Sequence, residues 1–144
     1  MVDPSDAPSD RALIEGLFFA YRAFTTPPDA ILARHGLGRA HHRILYFVGR
    51  SPEISVSELM EVLGVTKQAL HAPLANLVAQ DWLKTGARRG DRRIKTLKLT
   101  PAGEGLEAEL TGIQVKFLRE RLAEADARQT LAALLARLQS DPSG

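Results

Sequence analysis

The chain has 144 residues, 44% hydrophobic and 25% charged, with no cysteine. That is one domain's worth of ordinary globular composition, and it excludes disulfides, thiol redox sensing and cysteine-based zinc sites. The formal net charge is only +2, yet Lys84 to Lys98 holds seven basic residues against the single acid Asp91, a local +6 that leaves −4 for everything else.

In chain order, the opening MVDPSDAPSD is acidic and rich in Pro and Ser, without the basic start and apolar middle of a signal peptide. A disordered lead over residues 1–9 and a cytoplasmic location are expected. The longest apolar runs, such as Ile44 to Val48, fall far short of the ~20 residues a membrane span needs. No membrane partner is expected. Arg11 to Thr25 carries Leu13, Ile14, Leu17, Phe18, Tyr21 and Phe24 at spacings of three and four, one wide helical stripe. Thr26-Pro27-Pro28 predicts a stop and a second short helix, ended by Gly36. Arg39 to Arg50 follows, with Ile44, Leu45, Phe47 and Val48 facing inward, until Ser51-Pro52. Ser55 and Glu58 have capping-box spacing, so a helix should start there and end at Gly64. Thr66 caps the next helix, whose Leu70, Leu74, Leu77 and Val78 form a buried stripe. Trp82-Leu83 opens a strand. A second strand alternates Lys95, Leu97 and Leu99 with Ile94, Thr96 and Lys98, and Arg88 to Arg93 forms the connection. Thr100-Pro101 starts a long helix through Leu106, Leu110, Ile113, Phe117 and Leu118. Asp126 is expected to cap the last one, lined by Leu131, Leu134, Leu135 and Leu138.

Helix, turn, helix and basic hairpin make up the winged helix-turn-helix plan, a mainly α fold with a small β wing. The second helix turns Lys67, Gln68 and His71 away from its leucines, side chains able to reach base edges in a major groove. The wing supplies guanidinium groups that match phosphate oxygens or enter a narrow minor groove. The expected duplex contacts are Thr66, Lys67, Gln68, His71, Arg88, Arg89, Asp91, Arg92, Arg93 and Lys95. Residues 37–103 form the expected DNA-binding lobe, and 10–36 with 104–140 a helical dimerisation region. The ends carry more apolar surface than so small a lobe can cover, which points to Leu13, Leu17, Phe18, Phe24, Leu131, Leu134, Leu135 and Leu138 as a dimer interface.

SVSELMEVLGVTKQAL, then DRR at Asp91 to Arg93, then LTPAG at Leu99 to Gly103 resemble the MarR family, the multiple antibiotic resistance regulators of bacteria. The resemblance implies that Asp91 orients Arg93 and that Arg93 goes to the minor groove. It implies helical ends interleaved between two subunits, so that the target is a pseudo-palindrome. It also implies a repressor released by a small aromatic or phenolic ligand. Two residues depart from the family pattern. Pro73 lies inside the recognition helix, where a kink or a shifted docking angle is expected, and Ala72 stands where relatives carry a polar or basic group.

Tyr21, Arg22, His42, Tyr46 and Trp82 either line a cavity for such a ligand or pack as core. His41 and His42 are adjacent and face different ways on a helix, so they do not share a metal ion in the manner of an i, i+4 pair. A surface role is expected for them. No cofactor is expected, nor an enzyme: no nucleophile is paired with a base, no Gly-rich phosphate loop follows a strand, and no His-Glu zinc pattern occurs. A non-specific or architectural nucleic-acid binder, and a winged module for protein contacts, remain as alternatives.

Overall fold

A computed structural model describes residues 7–142. The expected disordered lead therefore falls largely outside the described residues, as do the last two residues of the tail, and Ser9 at the end of the lead caps the first helix through its hydroxyl. Among the described residues, six helices and three strands follow in the order α1 (Asp10–Arg34), α2 (Arg39–Arg50), β1 (Ile54–Ser55), α3 (Val56–Leu63), α4 (Lys67–Ala79), β2 (Leu83–Arg88), β3 (Asp91–Leu99), α5 (Pro101–Arg121) and α6 (Ala125–Gln139).

The first correction concerns α1, which runs unbroken through Pro27 and Pro28. Interior proline costs about 3 kcal/mol, because it removes a donor and crowds the preceding turn. Here Thr25, Pro28 and Leu32 are buried on the core side of the same helix, and burial of such side chains contributes a comparable amount. The Thr25 and Thr26 hydroxyls donate to the Tyr21 and Arg22 carbonyls at 2.9 and 2.6 Å, tying down the turn ahead of the prolines. The helix ends as expected. Gly36 at φ 69° lets Leu37 N–H reach back to the Leu32 carbonyl.

The helix starts follow from their caps. Ser55, Thr66 and Thr100 each accept a backbone N–H three residues on, from Glu58, Ala69 and Gly103. Gly64 closes α3 at φ 63°. Asp126 does not cap α6. It sits in the first turn, while Glu124 holds the cap position without a side-chain bond.

The sheet has the order β1-β3-β2, antiparallel throughout. β1 was not anticipated: two residues, Ile54 and Ser55, pair with Leu97 and Thr96. The hairpin connection is also shorter than Arg88 to Arg93. Arg88 already pairs with Asp91, leaving Arg89 and Gly90 as the turn, with Gly90 at φ 94°. Trp82 precedes the strand.

Leu32, Ile44, Leu45, Val48, Leu59, Leu77, Leu83, Leu97 and Leu110 form the centre of one core shared by α1–α5 and the sheet. α5 packs on α1 and α2, and Phe24 meets Phe117 edge to face at 5.5 Å. α6 buries none of its residues.

Candidate nucleic-acid interface

Packing decides which way α4 faces. Leu70, Leu74 and Leu77 are buried, which leaves Thr66, Lys67, Gln68 and His71 exposed on the opposite side. The helix is continuous across Pro73, which is half-buried, and Ala72 is exposed. Between α3, α4 and β3 runs a groove of about 530 Å³ bordered by Ser57, Lys67, His71, Arg93 and Lys95. The structure thus brings the exposed start of α4 and the inner strand of the wing to one concave face.

On the wing, Arg89, Arg92, Arg93 and Lys95 are exposed. The Asp91 carboxylate accepts from the Arg93 backbone N–H at 3.1 Å and from Nε at 3.2 Å. The Arg93 side chain is nevertheless 92% exposed. Nη2 also reaches Asp91 Oδ2 at 3.5 Å, so the carboxylate holds one edge of the guanidinium and its pairing is at the surface; such a group can enter a groove without first losing a buried partner. The Arg93 side chain, and then its backbone N–H, hold the Asp91 carboxyl below the usual carboxylate range, so the orienting group stays anionic.

Arg88 behaves differently from its neighbours. Its guanidinium lies 2.5 Å from Glu58 Oε1 and 3.4 Å from the Glu53 carbonyl. Among the expected duplex contacts it therefore stands apart from Arg89, Arg92 and Arg93, because its charge is paired with Glu58 on α3. A run of basic letters does not reveal which member has an acid within reach.

The expected ligand residues divide. Tyr21, His42 and Tyr46 line a cavity of about 340 Å³ between α1, α2 and α5, together with Arg39, Arg43 and Thr111. Arg22 lies over Phe19 and Trp82 stacks edge-on against His35, so neither lines it. Arg39 and Arg43, which are not among the expected ligand residues, also line the cavity. Arg43 donates to the Tyr21 hydroxyl at 2.9 Å, and Arg39 bonds Asp29 at 2.9 Å. Their i, i+4 spacing beside His42 was the available signal.

His41 and His42 are half-buried, not surface groups. His41 Nδ1 accepts from Gly38 N–H at 3.0 Å, which serves the start of α2, and its Nε2 lies 3.2 Å from Asn76 on α4. Burial lowers the pKa of both imidazoles; for His42, Asp29 and Glu107 pull the other way. Among the described residues no three His, Cys, Asp or Glu side chains gather into a metal-sized cluster, and no helix is long and apolar enough to cross a membrane.

Leu13, Ile14, Leu17, Phe18, Phe19, Leu134, Leu135 and Leu138 are exposed large apolar residues on α1 and α6. Leu131 is half-buried, as is Phe24 against Phe117.

Comparison with known proteins gives concordant results. A model of the MarR family matches residues 35–94. The HTH-type transcriptional regulator PetP of Rhodobacter capsulatus is 42% identical over 128 residues, covering 85% of this chain and 77% of that protein. Streptococcus pneumoniae FabT, solved in complex with DNA, superposes with a TM-score of 0.79 at 16% identity, over 90% of this chain and 94% of that one. Staphylococcus aureus MarR, solved with salicylate and kanamycin, gives 0.71 at 20% identity, over 89% and 88%.

Proposed function

This chain belongs to the MarR family of transcriptional regulators with a DNA-binding winged helix fold, and from that premise we propose that it acts as a homodimeric repressor on a pseudo-palindromic duplex, released by a small aromatic acid. The observation that carries this reading is the shared concave face of Lys67 and His71 on α4 and the oriented, exposed Arg93 on the wing, with Gln68 exposed on the same helix. A recognition helix in the major groove and an arginine in the adjacent minor groove need that juxtaposition.

Thr66 to His71 would meet the major groove, with Gln68 reading a base edge. Arg89, Arg92, Arg93 and Lys95 would meet phosphates and the minor groove. The exposed apolar stripes of α1 and α6 support a second copy as their cover. A two-fold molecule places two recognition helices about 34 Å apart, one turn of duplex. The cavity beside Arg39, His42 and Arg43 has an aromatic wall in Tyr21 and Tyr46 and, in Arg43, a cation at its rim that no acid among the described residues pairs, a chemistry suited to an aromatic carboxylate. The salicylate complex of the staphylococcal relative supports the same ligand class. Such a ligand changes DNA affinity only through its differential affinity for two dimer arrangements.

Selection of bound duplexes from a random library tests the proposal. Recovery of a two-fold symmetric site with half-sites one helical turn apart is the expected result. A pool without any shared sequence would replace it with non-specific binding. Adding salicylate to the recovered complex then tests release.

A further inference from the structure

We propose that Arg88 and Glu58 form a strap that fixes the pose of the wing against the helix-turn-helix, so that Arg88 is a positioning residue for Arg93 and not a phosphate contact. The inference rests on the duplex-binding reading above. β1 supports β3 only at Thr96 and Leu97. Outward from there the wing is a two-stranded ribbon, an arrangement with little rigidity of its own. Among the described residues, the hydrogen bonds that tie this outer ribbon to the rest of the chain are those of Arg88.

The geometry suits a strap. Arg88 ends β2, the strand on the far side of β3 from β1, yet its guanidinium reaches both the segment before β1 and the first turn of α3. Its carbonyl partner Glu53 sits at φ 66°, a left-handed position that a non-glycine residue occupies at some cost. Glu58 is the residue whose N–H is capped by Ser55, so the strap lands on the fixed end of the helix. The Arg88 bond, followed by the Ser55 hydroxyl, holds the Glu58 carboxyl below its ordinary range. A register shift between Ala87 and Arg88 turns the ribbon at the point where the strap attaches. Three residues beyond Arg88 in the chain, Asp91 begins to orient Arg93. The strap therefore acts on the part of the wing that aims the exposed Arg93 guanidinium.

The test uses full-length Arg88→Ala, Glu58→Ala, the double variant and the swapped pair Glu58→Arg with Arg88→Glu. In the DNA-free protein, both single variants should speed amide hydrogen exchange across residues 84–95 while α4 is unchanged. Unchanged exchange on the wing overturns the proposal without reference to DNA. On the selected duplex, the two single variants should weaken binding alike, about threefold to tenfold. The slope of log affinity against log salt should be unaltered, the double variant no worse than either single, and the swapped pair largely restored. If Arg88→Ala lowers that slope by about one while Glu58→Ala leaves or improves affinity, Arg88 is a phosphate contact and the strap is refuted. A wild-type protein that binds no duplex would remove the functional reading, while the exchange result would still report on the strap.

Discussion

Alanine at Gly103 should destabilise the protein, against the usual trend for glycine in a helix. Gly103 occupies the first turn of α5, where its N–H donates to the Thr100 hydroxyl at 3.0 Å. Thr100 in turn donates to the Asp81 carbonyl at 2.6 Å, and its backbone N–H donates to the Trp82 carbonyl at 3.1 Å. A Cβ at position 103 would lie 2.0 Å from that Trp82 oxygen, far inside the 3.0 Å below which such contacts essentially never occur. The obstacle is backbone, and it accepts the hydrogen bond that docks the start of α5 on the segment entering β2. Overpacking of this kind costs about 1–3 kcal/mol, and the end of that range applies where a backbone oxygen must move. The gain in helix propensity returns at most ~1 kcal/mol. The net loss should be about 2 kcal/mol, roughly 4–8 °C in Tm for a chain of this size. Gly105, one half-turn on, meets nothing within 4 Å, so Gly105→Ala should stabilise by about 0.5–1 kcal/mol. Urea unfolding followed by circular dichroism, at matched protein concentration, reads both. If Gly103→Ala unfolds at the same or higher urea than wild type while Gly105→Ala behaves as stated, the steric argument fails.

The remaining predictions concern binding, assembly and pH. Arg93→Ala should weaken duplex binding and reduce the salt slope by about one per lost contact; an unchanged slope and affinity would take Arg93 out of the interface. Gln68→Ala should cost ~1–3 kcal/mol on the selected site and little on random DNA, and equal losses on both would contradict base reading. Leu13→Glu with Leu17→Glu should give monomers that no longer hold a full site, checked by light scattering; a persistent dimer would show that this face is not the interface. Burial depresses the folded-state pKa of His41 and His42, so the unfolded chain takes up protons first on acidification. Their contribution is complete above about pH 6.5 and is lost as pH falls through the folded-state values. Urea midpoints should therefore decline from pH 8 to pH 5.5, less steeply in His42→Gln. A midpoint that rises with acidification would reverse the sign argued here.

The structure explains which features were legible in the sequence. Ser55, Thr66 and Thr100 could be read because a cap is a local device: one hydroxyl and a backbone N–H three residues away. The leucine stripe of α4 was legible because a helix buried on one side repeats its demand every turn. Pro27 and Pro28 misled for the converse reason. The local rule against proline is overridden by burial of Pro28 and Leu32, which depends on distant partners. β1 has two residues and no period to detect, and exists because β3 offers it an edge. Asp91 beside Arg93 is a short-range pair visible in the letters, whereas the Glu58–Arg88 pair joins residues on different elements. His41 looked like a surface group because its partners, the Gly38 N–H and Asn76, are polar atoms that hydropathy patterns do not register.

The pairing of Ile54 with Leu97 and Ser55 with Thr96 acts as a clasp. Every side chain proposed to meet the duplex, from Thr66 to Lys95, lies within the stretch that it closes. Every residue lining the cavity between α1, α2 and α5 lies outside it, before Val48 or after Leu110. On the function proposed above, substitutions that retarget the operator and substitutions that retune the effector would thus occupy separate segments. An exchange at a two-residue join could pass one trait between relatives and leave the other with its owner.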